Sequence, residues 1–247
     1  MGREVVGDPL EGVRVNVMGT ANVLEAARLF ALQRVVIASS TTVGYPTFGE
    51  IHGDALPEDF ALRSLSHRPG SIYVATKVAG EHLALLYRDL YGVSVAALRY
   101  AGVISAWSGP GTSVPAKVLS SLLEPARRGA TAVLDDSYTL WNGGEEFIDA
   151  RDRARANVAA LDAKAPAQAV YHVGLGCLST FDQFVDAVRS LYPALLVEKA
   201  CAPVGGFAGF PHVREAASDI SAAAHELGWT PAYSLEQSVR HFAPLLA

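Results

Sequence analysis

The 247 residues are 50% hydrophobic and 18% charged, enough apolar material for one substantial core with a small lobe, so a disordered chain is excluded. Acidic residues exceed basic ones by 25 to 20, a formal charge of −5 with both signs mixed along the chain, and no basic face for nucleic acid or anionic lipid stands out. Two cysteines, Cys177 and Cys201, are too few for a disulfide framework and fit a reducing cytoplasm, while the absence of any run of about 18 apolar residues speaks against a membrane span. A small-molecule partner is the better expectation.

In chain order, Val23, Leu24, Ala27, Phe30 and Ala31 recur on one helical face and predict a helix over Val17–Leu32. Val35–Ala38 lacks polar alternation and predicts a strand buried on both faces of a parallel sheet, with Ser39-Ser40-Thr41-Thr42 at its carboxyl end. Ala75, Val78, Ala79, His82, Leu86 and Leu90 form a second helical stripe ended by Gly92, which makes His82 a core residue, and Val93–Tyr100 is the next strand. Trp107–Gly111 reads as a loop, Val114–Arg128 as a helix, Thr131–Leu134 as a short strand and Asn142-Gly143-Gly144 as a turn. A helix over Asp152–Leu161 and a strand over Val170–Val173 follow. Capping boxes at Thr180 with Gln183 and at Ser234 with Gln237 open two more helices. Alternating strands and helices imply an α/β fold with a mainly parallel sheet, whose ligands bind beyond the carboxyl ends of its strands.

Tyr73 and Lys77 stand four residues apart, on one helix face. A cation beside a phenol favours the phenolate, and Lys77 is the cation at hand. Such a phenolate accepts a substrate hydroxyl proton while Ser40, at the neighbouring strand end, orients that hydroxyl. No Gly-x-Ser-x-Gly elbow supports a serine hydrolase, and the seven histidines, among them His52, His67 and His212, show no metal-ligand spacing, so no metal is expected.

Taken together, Asn16-Val17-Met18-Gly19-Thr20, Val35 to Val43, Tyr73-x-x-x-Lys77, Ala97-Leu98-Arg99-Tyr100, Phe147-Ile148-Asp149-Ala150-Arg151-Asp152, Tyr171-His172-Val173-Gly174 and Leu227-Gly228-Trp229 run in one order. That series resembles the NAD(P)-dependent epimerase/dehydratase branch of the extended short-chain dehydrogenase/reductases. The resemblance implies a Rossmann-like parallel sheet over residues 1–105 and 149–175, with a smaller α/β substrate lobe over 106–148 and 176–247. It assigns catalysis to Ser40, Tyr73 and Lys77, and NAD or NADP contacts to Asn16, Ala38, Ser39, Tyr73, Lys77, Tyr100, Gly102 and Val103, with a turn around Tyr100–Val103. Asn16 reads equally well as a helix cap. Substrate contacts fall to Thr41, Thr42 and Arg214. The expected activity is hydride and proton transfer on a sugar or sugar derivative, in a homodimer paired through helices 17–32 and 73–90, the latter carrying Leu83, Leu85 and Tyr87 off its main stripe.

Departures from the family are equally specific. The Gly-x-x-Gly-x-x-Gly turn that holds the dinucleotide phosphates is absent, a shortfall of roughly 60 residues or two βαβ units, so binding of the cofactor by this chain is expected to be weak or absent. Gly205-Gly206-Phe207-Ala208-Gly209 reads as a flexible loop. Glu145 stands where relatives acting on nucleotide sugars carry an arginine, and it would repel a diphosphate. The alternative expectation is a non-catalytic remnant that binds a ligand or partner.

Overall fold

Three parallel strands, β1 (Val35–Ser40), β3 (Val95–Tyr100) and β7 (Val170–Val173), hydrogen-bond in the order β1-β3-β7 and set the frame of the computed structural model, which describes residues 8–51, 53, 55–62, 66, 70–106 and 113–246. The loop expected over Trp107–Gly111, with His52 and His67, lies outside the described residues. Side chains alternate across the sheet. Val35, Ile37, Val95 and Ala97 face Leu24 and Ala27 of helix α2 (Gly19–Leu29) and Ala84 of helix α3 (Ile72–Tyr91). Ala96, Leu98 and Tyr100 face the other way, onto Ala156 and Ala160 of helix α5 (Ala150–Asp162).

A second core lies beyond the strand ends. Helices α4 (Val114–Arg127), α6 (Phe181–Arg189) and α8 (Leu235–Phe242) pack around Trp141 and Phe147, whose rings lie 5.9 Å apart. Three short parallel pairs complete the fold: β2 (Ala55–Leu56) with β9 (Ala217–Ser218), β4 (Gly102–Ile104) with β6 (Phe147–Asp149), and β5 (Ala132–Leu134) with β8 (Val197–Lys199). Both capping boxes form, at Thr180 and at Ser234. Within 176–247, helix α7 (Ser221–Leu227) and Trp229 pack on the sheet with Ala156 and Tyr171 rather than on the second core. No helix among the described residues is long and apolar enough to cross a membrane.

The structure corrects several expectations. The first helical run begins at α1 (Pro9–Val13), capped by Asp8, and passes through a wider turn over Arg14–Met18 into α2, so Asn16 sits mid-run and caps nothing. Helix α3 buries Val74, Gly80, Glu81 and Ala84, while His82, Leu86 and Leu90 are exposed, so His82 is not a core residue. Apolar residues line most of that helix, and long-range ion pairing of Glu81 decides which side faces in. Leu83 and Tyr87 pack toward α2 within the subunit, with Tyr87 Oη donating to Glu25. Gly205–Gly209 forms a packed turn: a Cβ at Gly205 would meet the Phe210 carbonyl oxygen at 2.3 Å, and Phe207 stacks edgewise on Trp141. Past Tyr100 the chain does not simply turn; it shifts at Ala101 into β4 and pairs with β6.

Candidate active site

Ser40 and Tyr100 are register partners at the carboxyl ends of β1 and β3, both on the α5 face of the sheet. The Ser40 hydroxyl accepts from the backbone N–H and the hydroxyl of Thr42, at 3.3 and 2.9 Å. Ser71 caps α3 by accepting from Val74 N–H, which sets Tyr73 in the first turn of that helix. From there the phenol lies near enough to Ser40 for that hydroxyl to draw its pKa down. One turn later Lys77 Nζ donates to the Ala38 carbonyl at 2.7 Å and stands 5.7 Å from the Tyr73 ring centroid.

Why Lys77 bonds that carbonyl follows from the ladder. Val35 N–H donates to Ser94 across to β3, and in a parallel pair alternate residues point their backbone groups to the same neighbour. The odd residues of β1 therefore bond β3, and the even ones, Val36, Ala38 and Ser40, face the edge that no described strand covers. Lys77 satisfies one carbonyl of that edge.

Burial pushes the Tyr73 phenol above its ordinary value, against the downward pull of the Ser40 hydrogen bond and of the Arg153 charge. Burial lowers Lys77, and repulsion from Arg153 lowers it further. Arg153 was not singled out by the sequence. It lies on the sheet-facing stripe of α5 with Ala156 and Ala160, its guanidinium carbon 4.5 Å from the Tyr100 ring centroid, and Tyr100 Oη donates to Asn157 at 2.8 Å.

The other assigned residues divide. Ala38 meets Lys77 through its carbonyl, Thr41 Oγ1 donates to the Tyr100 carbonyl at 3.3 Å, and Thr42 donates to Ser40, so these border the site. Gly102 N–H donates to the Glu146 carbonyl and Val103 packs beside Tyr100. Asn16 instead donates to the Thr76 hydroxyl at 3.0 Å, between helices. The Ser39 side chain points to the opposite sheet face, where it donates to Glu81 at 2.6 Å, and Glu81 in turn pairs with Arg99. Arg214 is 3% exposed and fully engaged, donating to Glu145 at 3.0 Å, Glu146 at 2.6 Å, Ser218 and the Ala216 carbonyl, so it is a buried tie and not a free anion ligand. Glu145 is correspondingly buried and paired, not a repelling surface charge.

Ser40, Tyr73 and Lys77 offer hydroxyls and an ammonium that could hold a hydroxyl-bearing ligand. Lys77 keeps two N–H donors after bonding Ala38, and the hydroxyls of Ser40, Tyr73 and Thr42 share the space beside it.

Comparison with known proteins adds the lineage. Residues 3–174 match the model of the NAD dependent epimerase/dehydratase family. A putative UDP-glucose 4-epimerase of Methanocaldococcus jannaschii is 27% identical over 187 residues, covering 76% of this chain and 56% of that protein. Among solved structures, L-threonine dehydrogenase from Phytophthora infestans superposes with a TM-score of 0.79 at 23% identity, over 100% of this chain and 75% of that one. UDP-glucose 4-epimerase from Thermotoga maritima with UDP-glucose gives 0.76 at 21% identity, over 98% and 72%. The chain spans about half the length of the curated relatives it matches. With that match over residues 3–174 and the Rossmann-type sheet of its structural neighbours, the chain belongs to the NAD-dependent epimerase/dehydratase family.

Proposed function

We propose that this protein is an NAD(P)-dependent oxidoreductase of the epimerase/dehydratase type acting on a sugar or sugar derivative, with Ser40, Tyr73 and Lys77 handling the proton. The observation that carries the reading is the placement of Tyr73 and Lys77 one turn apart on α3, with the Lys77 ammonium 5.7 Å from the Tyr73 ring and bonded to the Ala38 carbonyl of β1, two residues before Ser40 at that strand's carboxyl end. A bound nicotinamide supplies the hydride acceptor and donor. Tyr73 Oη takes the proton of the substrate hydroxyl, and Ser40 holds that hydroxyl in line. The positive charges of Lys77 and Arg153 favour the phenolate against the burial that holds Tyr73 protonated. Activity therefore rises as the medium becomes alkaline.

Dinucleotide affinity of the 247 residues alone is weak, because the sequence offers no Gly-x-x-Gly-x-x-Gly turn for the phosphates. Both cysteines are free thiols, in keeping with a reducing cytoplasm. The chain pairs as a homodimer through α2 and α3, whose outward faces expose Val23, Leu29, Phe30, Leu86 and Leu90.

The test is conversion of UDP-glucose and UDP-glucuronate with NAD or NADP present, read as product formed by chromatography together with any net reduction of the nucleotide, comparing the parent chain with Tyr73→Phe. Weak dinucleotide affinity predicts little or no turnover by the 247 residues alone, and whatever turnover the parent shows should fall about a hundredfold or more in kcat in Tyr73→Phe. Full activity in Tyr73→Phe overturns the assignment. Should neither nucleotide bind in a calorimetric titration, the reading moves to a ligand-binding protein without turnover.

A further inference from the structure

Toward the carboxyl ends of the strands, the contact between α3 and the sheet changes character. Val35, Ile37, Val95 and Ala97 pack with Ala84 of α3, and the next residues on that face are Ser39 and Arg99, register partners on β1 and β3. Both bond one carboxylate. Glu81 accepts from the Ser39 hydroxyl at 2.6 Å, from Arg99 Nε at 3.0 Å and from Arg99 Nη2 at 2.5 Å, while Arg99 Nη1 donates to the Glu58 carbonyl at 2.7 Å. A buried carboxylate of α3 is thereby gripped from two strands at once.

Tyr73, Lys77 and Glu81 follow one ridge of α3 in steps of four residues. Lys77, one turn before Glu81, donates to the Ala38 carbonyl at 2.7 Å, and its ammonium stands 5.7 Å from the Tyr73 ring centroid. Two consecutive turns of α3 thus bond two consecutive residues of β1, Lys77 at Ala38 and Glu81 at Ser39. These ties hold unequally. An ammonium on a flexible four-carbon stem tolerates a shift of its helix, whereas a carboxylate fixed by a guanidinium fork and a hydroxyl does not. The tie is also placed where precision counts, since a displacement of about 1 Å at reacting groups is worth about a hundredfold in rate.

We propose that Glu81 is a positioning residue: clamped on the Ser39–Arg99 pair, it sets the height and rotation of α3 so that Lys77 reaches the Ala38 carbonyl and stands beside Tyr73. This rests on the reading of Ser40, Tyr73 and Lys77 as the reacting groups, and it gives the buried ion pair a part in the site beyond stability.

The experiment reads the Lys77 ammonium directly. Lys77, Lys117, Lys164 and Lys199 are the lysines of the chain, so nitrogen-labelled lysine gives a short NMR spectrum in which Lys77→Arg assigns the signal. Exchange of the ammonium protons with water, slowed while they are hydrogen-bonded, is measured at low temperature in the parent, Ser39→Ala, Ser39→Thr, Glu81→Asp and Val188→Ala. Ser39→Ala removes one bond to Glu81 and leaves the Arg99 pair; Glu81→Asp keeps the charge but shortens its reach by one methylene. Val188→Ala opens a hole in the second core, away from the site. Exchange at Lys77, relative to the other lysines, should quicken about fivefold or more in Ser39→Ala and Glu81→Asp. It should stay at the parent rate in Val188→Ala and return toward that rate in Ser39→Thr, which restores the hydroxyl. An unchanged Lys77 rate in both Ser39→Ala and Glu81→Asp overturns the proposal, as does an equal quickening in Val188→Ala, which would make the effect one of stability alone. No turnover is needed for this measurement, so its failure is distinct from that of the reading beneath it, which full activity in Tyr73→Phe would overturn.

Discussion

Replacing Glu81 by Ala should be among the most damaging single changes in this protein. Glu81 is 1% exposed, and its carboxylate accepts from Arg99 Nη2 at 2.5 Å, from Arg99 Nε at 3.0 Å and from the Ser39 hydroxyl at 2.6 Å. Without it, Arg99 keeps the Glu58 carbonyl at 2.7 Å, the His172 ring nitrogen at 3.5 Å and the Phe60 ring at 4.7 Å, all uncharged, for a charge that remains out of water, and the Ser39 hydroxyl loses its acceptor. Breaking one side of a buried pair costs about 3–5 kcal/mol, which for a chain of this size lowers Tm by roughly 6–20 °C at about 2–4 °C per kcal/mol. Glu81→Gln keeps the shape and should lose less. The double change Glu81→Leu with Arg99→Met removes both charges and should recover much of the loss, since the pair's net worth is small once neither ion is buried. Thermal unfolding followed by circular dichroism, arranged as a double-mutant cycle, reads all of this. A Glu81→Ala chain melting within about 2 °C of the parent, a small shift on the same scale, refutes the reasoning, as does a double variant no more stable than the single one.

Three further outcomes are expected. Burial first, then the charges of Arg99 and Arg214, push the His172 imidazole down to about 3, below its ordinary 6.5. Its stabilising share is therefore present above pH 6.5 and is lost as pH falls toward 3, by up to about 1.4 kcal/mol per pH unit; urea midpoints at neutral and mildly acid pH should converge in His172→Asn, and identical pH dependence in both chains contradicts this. Asp149 caps α5, accepting from Arg151 N–H at 2.7 Å; burial raises its carboxyl, yet the Arg151 and Ser238 hydrogen bonds hold it below the usual range. Asp149→Ala should cost about 1–2 kcal/mol, a contribution present above the unfolded carboxyl's titration and lost in acid, so the two chains should approach each other in acid unfolding. Leu86→Glu with Leu90→Glu should turn a dimer into a folded monomer by light scattering, and a parent already monomeric at micromolar concentration rules out the interface.

Local pattern revealed most of the elements here, and long-range chemistry decided what it left open. Strand β1 was read as ending at Ala38 because its apolar run stops there, yet it continues through Ser40, since Ser39 finds an acceptor in Glu81, 42 residues away. The same glutamate turned α3 on its axis: a stripe of Ala, Val, Leu and His suggests one buried side, and a carboxylate with a buried guanidinium waiting selects another. Glu145 looked repulsive in isolation because nothing nearby in sequence announces Arg214, 69 residues on. Tyr73, Lys77 and Ser40 were legible because two sit on one helix turn and the third ends a strand. Arg153 was not, since a helix rich in alanine and arginine has the look of a solvated surface until the strand ends beneath it are known.

The two faces of the sheet now explain why the chemistry sits where it does. On the α3 face, the Ser39 hydroxyl and Arg99 bond Glu81, and Arg99 also bonds the Glu58 carbonyl. Such a network can hold β1 and β3 in register. Across the same two strands, Lys77 donates to the Ala38 carbonyl near Tyr73, and Arg153 lies over the Tyr100 ring. Adjacent residues, Ser39 and Ser40, thus part company, the first fastening the strand end to Glu81 and the second bonding Thr42 on the opposite face. The alternation of a single strand therefore separates a side chain that ties the sheet together from one that stands at the candidate site proposed above, and a substitution at Ser39 should cost stability where one at Ser40 should not.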